Sequence, residues 1–243
     1  FLNVVGLRLL SEESFVMPRS KCPKCKKQIA WYDNIPVISF LLLGGKCRNC
    51  KEKISIQYPV VELFTSGIFL LTVFYFGISL KSLLLLILAC CMIVITITDL
   101  KEKVIFDITS LPLIPLGLVY NFFGIGNTGL DQIKIPLEGI GTSITLNEAF
   151  IAAIIGTLIG AVFFEFFARL GILLVGERAF GEGDTILGAA LGAWFGWKMI
   201  IVILILSLIF QIIIGLPIII ANMYRDKGFK SIFSVLMLMF SIF

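Results

Sequence analysis

The sequence predicts an all-α polytopic membrane protein with about eight transmembrane helices and a small cytosolic four-cysteine zinc-binding domain. Three observations support this fold class. Of the 243 residues, 58% are hydrophobic and 15% are charged, and the mean hydropathy is +1.03, whereas a soluble chain is about half apolar and a quarter charged. Long apolar runs recur along the chain, and four of the six cysteines lie in one short polar segment.

The chain divides into three predicted segments. Residues 1–10 are apolar but too short to cross a bilayer, which takes about 20 residues, so we interpret them as the cytosolic half of a truncated first helix. Residues 11–58 form the predicted zinc domain, and residues 59–243 form the predicted membrane-embedded domain. The apolar runs of that domain cover about 59–79, 82–98, 108–125, 149–175, 185–197 and 199–222, and the end at 231–243 is interpreted as a truncated last helix.

Basic residues indicate the orientation of the chain, because Lys and Arg are enriched in cytosolic loops. If residues 11–58 are cytosolic, 17 of the 20 Lys and Arg residues fall on the cytosolic side. The exceptions are Lys81, Lys134 and Lys198. The reverse orientation would invert this ratio, so we expect the zinc domain to face the cytosol.

Two cysteine pairs indicate a metal site. The chain contains Cys22-Pro-Lys-Cys25 and, 21 residues further on, Cys47-Arg-Asn-Cys50. Two such pairs about 15–20 residues apart are typical of zinc sites in which four thiolates complete a tetrahedron. With four protein ligands the ion would be structural and would stabilise a domain too small for a sizeable core. The alternative is two unrelated redox-active or free-thiol pairs.

Acidic residues at the membrane boundary are the candidates for chemistry. The chain has no histidine, which excludes Ser-His-Asp and Cys-His catalysis and histidine-ligated metals. Asp99 ends one apolar run, Asp107 opens the next, and Asp184 directly precedes the run at 185–197. We interpret Asp107 as a helix N-cap, whereas a carboxylate at the end of a helix, as at Asp99, opposes the helix dipole. Glu165 lies in an apolar run, and an i,i+4 ion pair with Arg169 accounts for it.

Asp184 belongs to the stretch Gly181-Glu-Gly183-Asp184. The two glycines permit a strained backbone or a close approach of another chain. Alone, this motif is typical of a turn. Together with a second aspartate at the same membrane face, it indicates a pair of carboxylates that share a proton and activate water. That chemistry is peptide hydrolysis without a cofactor.

These motifs resemble those of the bacterial type IV prepilin peptidases, which are GxGD-type membrane aspartic proteases. The resemblance spans nearly the whole chain. It rests on Arg19-Ser-Lys-Cys22-Pro-Lys-Cys25, Asp33-Asn-Ile-Pro36, Gly45-Lys-Cys47-Arg-Asn-Cys50, Tyr58-Pro-Val-Val-Glu62, Asp99 with Asp107, Gly181-Glu-Gly183-Asp184 and Leu187-Gly-Ala-Ala-Leu-Gly-Ala-Trp194.

The resemblance implies that Asp99 and Asp184 are the catalytic pair, with Gly181 and Gly183 in the active-site loop. It implies cleavage of prepilins or pseudopilins, whose short basic leader precedes an apolar helix, at the cytosolic face of the bacterial inner membrane. It also implies methylation of the new N-terminus by S-adenosylmethionine. The expected partners are these substrates and the lipid bilayer, without nucleic acid. Candidates for the methyl-transfer site are Asp33, Asn34, Arg48, Tyr58 and Glu62, for which domain docking and helix capping are equally good interpretations.

Three positions depart from the family pattern. Phe106 stands where a proline is usual, and Thr185 and Ile186 stand where a hydrophobic residue and a lysine are usual. These changes flank the aspartates and bear on substrate preference.

Two other function classes remain open from the residues alone. An ion-coupled transporter would use the membrane carboxylates to bind cations. In a zinc adaptor, the helices would serve only to anchor the zinc domain to the membrane.

Overall fold

The computed structural model describes residues 2–11, 21–22, 24–34, 37–125, 132–135, 144–176 and 178–225. The fold is mostly helical, as predicted. The helices are α1 (Leu2–Leu10), α2 (Ile38–Leu42), α3 (Gln57–Phe76), α4 (Leu80–Glu102), α5 (Asp107–Ser110), α6 (Leu113–Phe122), α7 (Glu148–Val175) and α8 (Glu182–Arg225), with a 3-10 helix at Trp31–Asn34. An antiparallel pair of strands, β1 (Gln132–Ile135) and β2 (Ile144–Asn147), was not part of the all-α prediction.

The chain separates into two compact units, Phe1–Val104 and Ile105–Phe243. The first contains α1 to α4 and the cysteine pairs, and the second contains α5 to α8 and the two strands. The predicted domain boundaries after residues 10 and 58 both lie inside the first unit, and they stay predictions.

Four helices in the described part of the chain are long and apolar enough to cross a membrane. They are Gln57–Phe76, Leu80–Glu102, Glu148–Leu173 and Glu182–Ile213. The chain is therefore a multi-pass membrane protein, while the count of eight spans stays a prediction. The predicted end helix at 231–243 lies outside the described residues.

Helix α3 shows most directly why a bilayer is required. Its most apolar stretch buries no residue against protein, and Leu70 and Phe74 are 73% and 82% exposed. Contiguous apolar surface of this extent is not stable in water. A surrounding hydrocarbon phase removes the free-energy cost of exposing these side chains to water, and the helix satisfies its own backbone hydrogen bonds there.

In the first unit, α1 and α3 both pack on α4. A side chain at Gly6 of α1 would collide with Ile97 of α4, so this glycine permits a close approach. Asn3 is buried, and its amide nitrogen donates to the Tyr58 carbonyl at 3.4 Å. Helix α4 starts with a capping box between Ser79 and Ser82, and its C-cap residue, Lys103, is in the left-handed conformation.

In the second unit, α7 and α8 pack through glycines spaced four residues apart. Gly156 and Gly160 of α7 face Gly192 and Gly188 of α8, and a Cβ on any of the four would overlap the opposite helix. Small residues at this spacing let helices approach closely and pack tightly in membranes. The Gly/Ala-rich run at 185–197 therefore forms the tightly packed helix that the sequence predicts.

Helix α8 is broken at Gly196, where φ is 71° and ψ is 174°. The two apolar runs predicted at 185–197 and 199–222 are thus two helical segments that meet at this kink. A left-handed φ is readily adopted only by glycine. Helix α6 packs against the first segment, where the Trp194 indole nitrogen donates to the Leu113 carbonyl at 2.8 Å.

Candidate functional site

The two cysteine pairs fold into two matching turns. The Cys22 amide donates to the Lys27 carbonyl at 3.0 Å, and the Cys47 amide donates to the Glu52 carbonyl at 2.8 Å. The residue after each second cysteine, Lys26 or Lys51, has a left-handed φ of 57° or 59°. The same strained conformation at equivalent positions indicates that both turns are built for the same task.

The turns bring all four predicted ligands together. The sulfur atoms of Cys22, Cys25, Cys47 and Cys50 all lie within 4.8 Å of one another, and the Cys22 and Cys50 sulfurs are 3.7 Å apart. Zinc–sulfur bonds are about 2.3 Å long, so the corners of a tetrahedral four-sulfur site lie about 3.8 Å apart. The cluster therefore fits a zinc ion.

The pKa values of the clustered cysteine thiols also favour the binding of a cation. Backbone hydrogen bonds from Cys25 and Lys24 lower the pKa of Cys22 to about 6, which favours the thiolate that zinc requires. At Cys50 a backbone hydrogen bond from Glu52 lowers the pKa, but burial and the other three thiols outweigh it and raise the pKa to about 11. Four clustered sulfurs therefore do not all ionise without a compensating positive charge.

Asp33 and Arg48, two methyl-transfer candidates, are joined to each other. The Arg48 Nε and Nη2 atoms donate to the two Asp33 carboxylate oxygens at 2.8 Å and 2.6 Å. Arg48 also lies over the Tyr32 ring, 5.3 Å from its centroid. This hydrogen bonding lowers the pKa of Asp33. The pair ties the 3-10 helix to the second cysteine turn, which is the docking interpretation of these residues.

Two of the remaining methyl-transfer candidates, Tyr58 and Glu62, lie in α3, whereas Asn34 directly follows Asp33 in the 3-10 helix. Tyr58 and Glu62 are one turn apart near the start of α3, where Tyr58 as a whole residue is 38% exposed and its carbonyl accepts from Asn3. Asn34 is the last residue of the 3-10 helix. Nothing in this arrangement identifies a cofactor pocket among the described residues.

Asp99 lies in the last turn of α4, and its side chain is partly buried. Its backbone carbonyl accepts the amide of Lys103 at 2.8 Å, which closes the helix. Residues of α4 just before it, Ile97 and Thr98, are buried, and Ile97 lies against Gly6 of α1. Asp99 therefore lies at the C-terminal end of a candidate membrane span whose last turns are partly buried.

Asp184 lies in the first turn of α8, at the opposite end of a candidate span. Its Oδ2 atom accepts the backbone amide of Gly181 at 2.8 Å. This reach from the third helical residue back to the N-cap amide is one half of a capping box. Gly183 packs on Ile105, and a Cβ at Gly183 would lie 2.7 Å from the Ile105 Cβ. Gly183, which was predicted for the active-site loop, thus permits close packing next to the Asp184 carboxylate.

The residues that depart from the family pattern lie close to these aspartates in the sequence. Phe106 is the N-cap of α5, so Asp107 is its first helical residue rather than the N-cap that we predicted. Asp107 is exposed. The Thr185 hydroxyl oxygen is buried and has no hydrogen-bond partner within the described residues.

Sequence reasoning missed one residue near Asp184. Glu165 does pair with Arg169, at 2.8 Å, as predicted. Its other oxygen binds Arg178, also at 2.8 Å, and Arg178 in turn binds Glu182 at 2.9 Å. Arg178 is 13 residues from Glu165, and no short-range sequence rule predicts a pair at that separation.

Comparison with known proteins places the whole arrangement in one family. Residues 1–76 match the bacterial peptidase A24 N-terminal domain. Residues 86–216 match the type IV leader peptidase family. No solved structure gives a significant match.

Curated relatives carry the name prepilin leader peptidase/N-methyltransferase. The protein from Neisseria gonorrhoeae is 36% identical over 84% of this chain and 65% of its own length. The protein from Pseudomonas aeruginosa is 32% identical over 83% of this chain and 62% of its own length, and the one from Klebsiella pneumoniae is 35% identical over 82% and 80%. The chain thus spans about two thirds of the length of the first two relatives. Since the family match at 86–216 covers more than half of the residues, this chain belongs to the type IV leader peptidase family.

Proposed function

We propose that this chain is a membrane aspartic endopeptidase that removes the basic leader of type IV prepilins or pseudopilins. Cleavage takes place at the cytosolic face of the bacterial inner membrane, and the zinc domain faces the same side. Asp99 and Asp184 are the catalytic pair. The family membership and the names of the relatives support this function over an ion-coupled transporter or a zinc adaptor.

The observation that carries the proposal is the position of the two carboxylates. Asp99 closes the candidate span Leu80–Glu102, and Asp184 opens the candidate span Glu182–Ile213. Ionisable groups at such positions are costly and mark function by default. The proposal requires the segment that contains α5 and α6 to cross the membrane as one short span, because only then do both aspartates emerge on the same side.

Helix dipoles suggest which aspartate is the base. The N-terminus of α8 favours negative charge on Asp184, and the C-terminus of α4 disfavours it on Asp99. Asp184 therefore takes a proton from water as the water oxygen bonds to the scissile carbonyl carbon. Asp99 gives its proton to the carbonyl oxygen. When the resulting diol collapses, the carbon–nitrogen bond breaks, the new amine takes the proton from Asp184, and Asp99 recovers its own.

The zinc ion has a structural role in this proposal. Four cysteine ligands leave no open coordination position for water or substrate. The zinc ion would join the two cysteine turns, and the Asp33–Arg48 pair joins the second turn to the 3-10 helix. Removal of the metal leaves clustered thiols without their counter-charge.

The second reaction is methylation of the new N-terminal amine, for which S-adenosylmethionine supplies an electrophilic methyl group. Tyr58 and Glu62 are the better candidates for this site, because Asp33 and Arg48 already bind each other. Asn34 stays a candidate by its position next to Asp33. The cytosolic placement of the cysteine domain would put all five residues on the side where the amine is formed.

The function is tested by incubating the purified protein with a prepilin-type substrate and S-adenosylmethionine, followed by the intact mass of the product. Loss of the leader and gain of one methyl group are separate mass changes. Asp99→Asn and Asp184→Asn are expected to abolish cleavage while the protein still accumulates in membranes. Asp107→Asn is the matched control, since Asp107 is exposed and lies at the start of a helix. Full cleavage by either active-site variant, or loss of cleavage in the control alone, contradicts the assignment of the pair.

A further inference from the structure

Arg178 connects helix α7 to the helix end that carries Asp184. Its Nη2 atom binds Glu165 Oε2 of α7 at 2.8 Å, and its Nη1 atom binds Glu182 Oε1, in the first turn of α8, at 2.9 Å. One planar guanidinium thus holds two carboxylates at once. Glu182 is two residues before Asp184 in the same turn, so this link acts directly on the segment that positions the carboxylate.

An apolar contact reinforces the link from the same part of α7. Phe180 is 6% exposed, and its ring packs edge-on against Phe164 with the centroids 5.2 Å apart. Phe164 directly precedes Glu165, so consecutive residues of α7 hold the segment before Asp184 by an aromatic contact and by an ion pair. On the other side of that segment, Gly183 packs on Ile105.

The Asp184 carboxylate is itself bonded to the segment that Arg178 and Phe180 hold. Its Oδ2 atom accepts the Gly181 amide, so the position of the carboxylate depends on the position of that loop. Before Gly181 in the sequence, Arg178 and Phe180 contact α7. After it, Gly183 packs on Ile105. The orientation of the Asp184 carboxylate is therefore coupled to the Arg178 ion pairs through no more than six residues of backbone.

We propose that Arg178, together with Glu165, is a positioning clamp that orients Asp184 for catalysis. This proposal rests on the proposed function, because it assumes that Asp184 is catalytic. Arg178 does not touch the reacting atoms. Its side chain and that of Glu165 are 36% and 35% exposed, and ion pairs that are partly exposed add little to folding stability. Displacing a catalytic group by about 1 Å, in contrast, costs up to about a hundredfold in rate.

The nature of the side chain matters for such a clamp. Arginine presents a rigid fork of donors that binds two carboxylates at a fixed angle, whereas lysine presents one mobile point charge. Arg178→Lys keeps the charge but cannot hold both carboxylates in the same geometry. We therefore expect Arg178→Lys to fall between the wild type and Arg178→Gln in activity.

The test compares Arg178→Gln and Glu165→Gln with Arg169→Gln. Arg169 is the matched control, because it binds the same glutamate at 2.8 Å but is 77% exposed and forms no ion pair with α8 among the described residues. Cleavage of a prepilin-type peptide by protein in detergent micelles would be measured over a range of substrate concentrations. The clamp predicts that kcat falls about tenfold or more in both clamp variants with little change in KM, and that Arg169→Gln stays near the wild type.

A double variant separates positioning from a general loss of stability. If Arg178 and Glu165 act as one unit, the Arg178→Gln/Glu165→Gln protein loses about as much kcat as either single variant. All of these proteins should keep the melting temperature of the wild type within a few degrees. Equal losses in Arg178→Gln and Arg169→Gln, additive losses in the double variant, or activity that simply follows the melting temperature would overturn the clamp.

Asp184→Asn, measured alongside, distinguishes this failure from failure of the proposed function. If Asp184→Asn cleaves like the wild type, the proposed function itself is wrong. If Asp184→Asn is inactive and Arg178→Gln is fully active, only the clamp is wrong.

Discussion

The sulfur atoms of Cys22 and Cys50 lie 3.7 Å apart, although 28 positions separate the two residues in the sequence. This distance matches the edge of a tetrahedral zinc–sulfur site, which is about 3.8 Å. It links the first cysteine of one pair to the second cysteine of the other. The two turns therefore meet face to face around one common centre.

We predict that the purified protein contains about one zinc ion per chain, because the four sulfurs supply a complete set of ligands. Cys22→Ser and Cys50→Ser should each lose the ion, as measured by elemental analysis of protein purified without added metal. Cys90→Ser and Cys91→Ser are the controls, since both residues lie in α4 away from the cluster. Zinc retained at the wild-type level in Cys22→Ser would rule out the four-cysteine site.

The contact between α7 and α8 should not tolerate even one methyl group. A Cβ on Gly192 would overlap the carbonyl of Gly156, whereas a Cβ on Gly67 of α3 meets nothing within 4 Å. We expect Gly192→Ala to lower the thermal unfolding temperature in micelles by several degrees. Gly67→Ala should be neutral or stabilising by up to about 1 kcal/mol, because alanine favours a helix more than glycine does. Equal behaviour of the two variants would contradict the close approach of the helices.

Asn121 stabilises the kink in α8 and should be sensitive to substitution. Its buried amide nitrogen lies 2.8 Å from the Ala193 carbonyl and 3.2 Å from the Trp194 carbonyl. Both carbonyls precede the break at Gly196, where helical carbonyls lack their usual partners. Asn121→Leu should reduce the free energy of unfolding by about 1–3 kcal/mol, the cost of leaving a buried polar group unpaired.

Chemical denaturation in micelles measures that loss. Val119→Leu is the control, because Val119 lies on the same helix and is 45% exposed. An Asn121→Leu protein as stable as this control would show that the kink does not need the asparagine.

Substitution of Thr185 is expected to stabilise the protein, unlike the substitutions above. Its hydroxyl oxygen is buried and finds no hydrogen-bond partner in the described part of the chain. Valine has nearly the same shape without the hydroxyl, so Thr185→Val should raise the free energy of unfolding by about 1 kcal/mol. Thr185→Ser keeps the hydroxyl and should bring no gain. A destabilised Thr185→Val protein would mean that the hydroxyl has a partner outside the described residues.

The sequence by itself determined that this is a helical membrane protein, and it identified the candidate metal ligands and the candidate catalytic aspartates. Apolar runs of span length predict helices because a bilayer leaves the backbone few other ways to satisfy its hydrogen bonds. The spacing of Cys22, Cys25, Cys47 and Cys50 predicted a cluster, because metal ligands on tight turns obey short-range geometry. Asp99 and Asp184 stood out because each adjoins an apolar run at the same predicted membrane face, in a chain that has no histidine.

Tertiary structure decided what has no short-range signature. The pairing of Asp33 with Arg48 and of Glu165 with Arg178 depends on how distant segments fold back on each other. The kink at Gly196 likewise depends on an amide supplied by Asn121 from another helix. The local sequence pattern indicates only which face of its own helix a residue occupies. These contacts depend instead on packing between elements. Only that packing brings Arg178 beside the segment that contains Asp184.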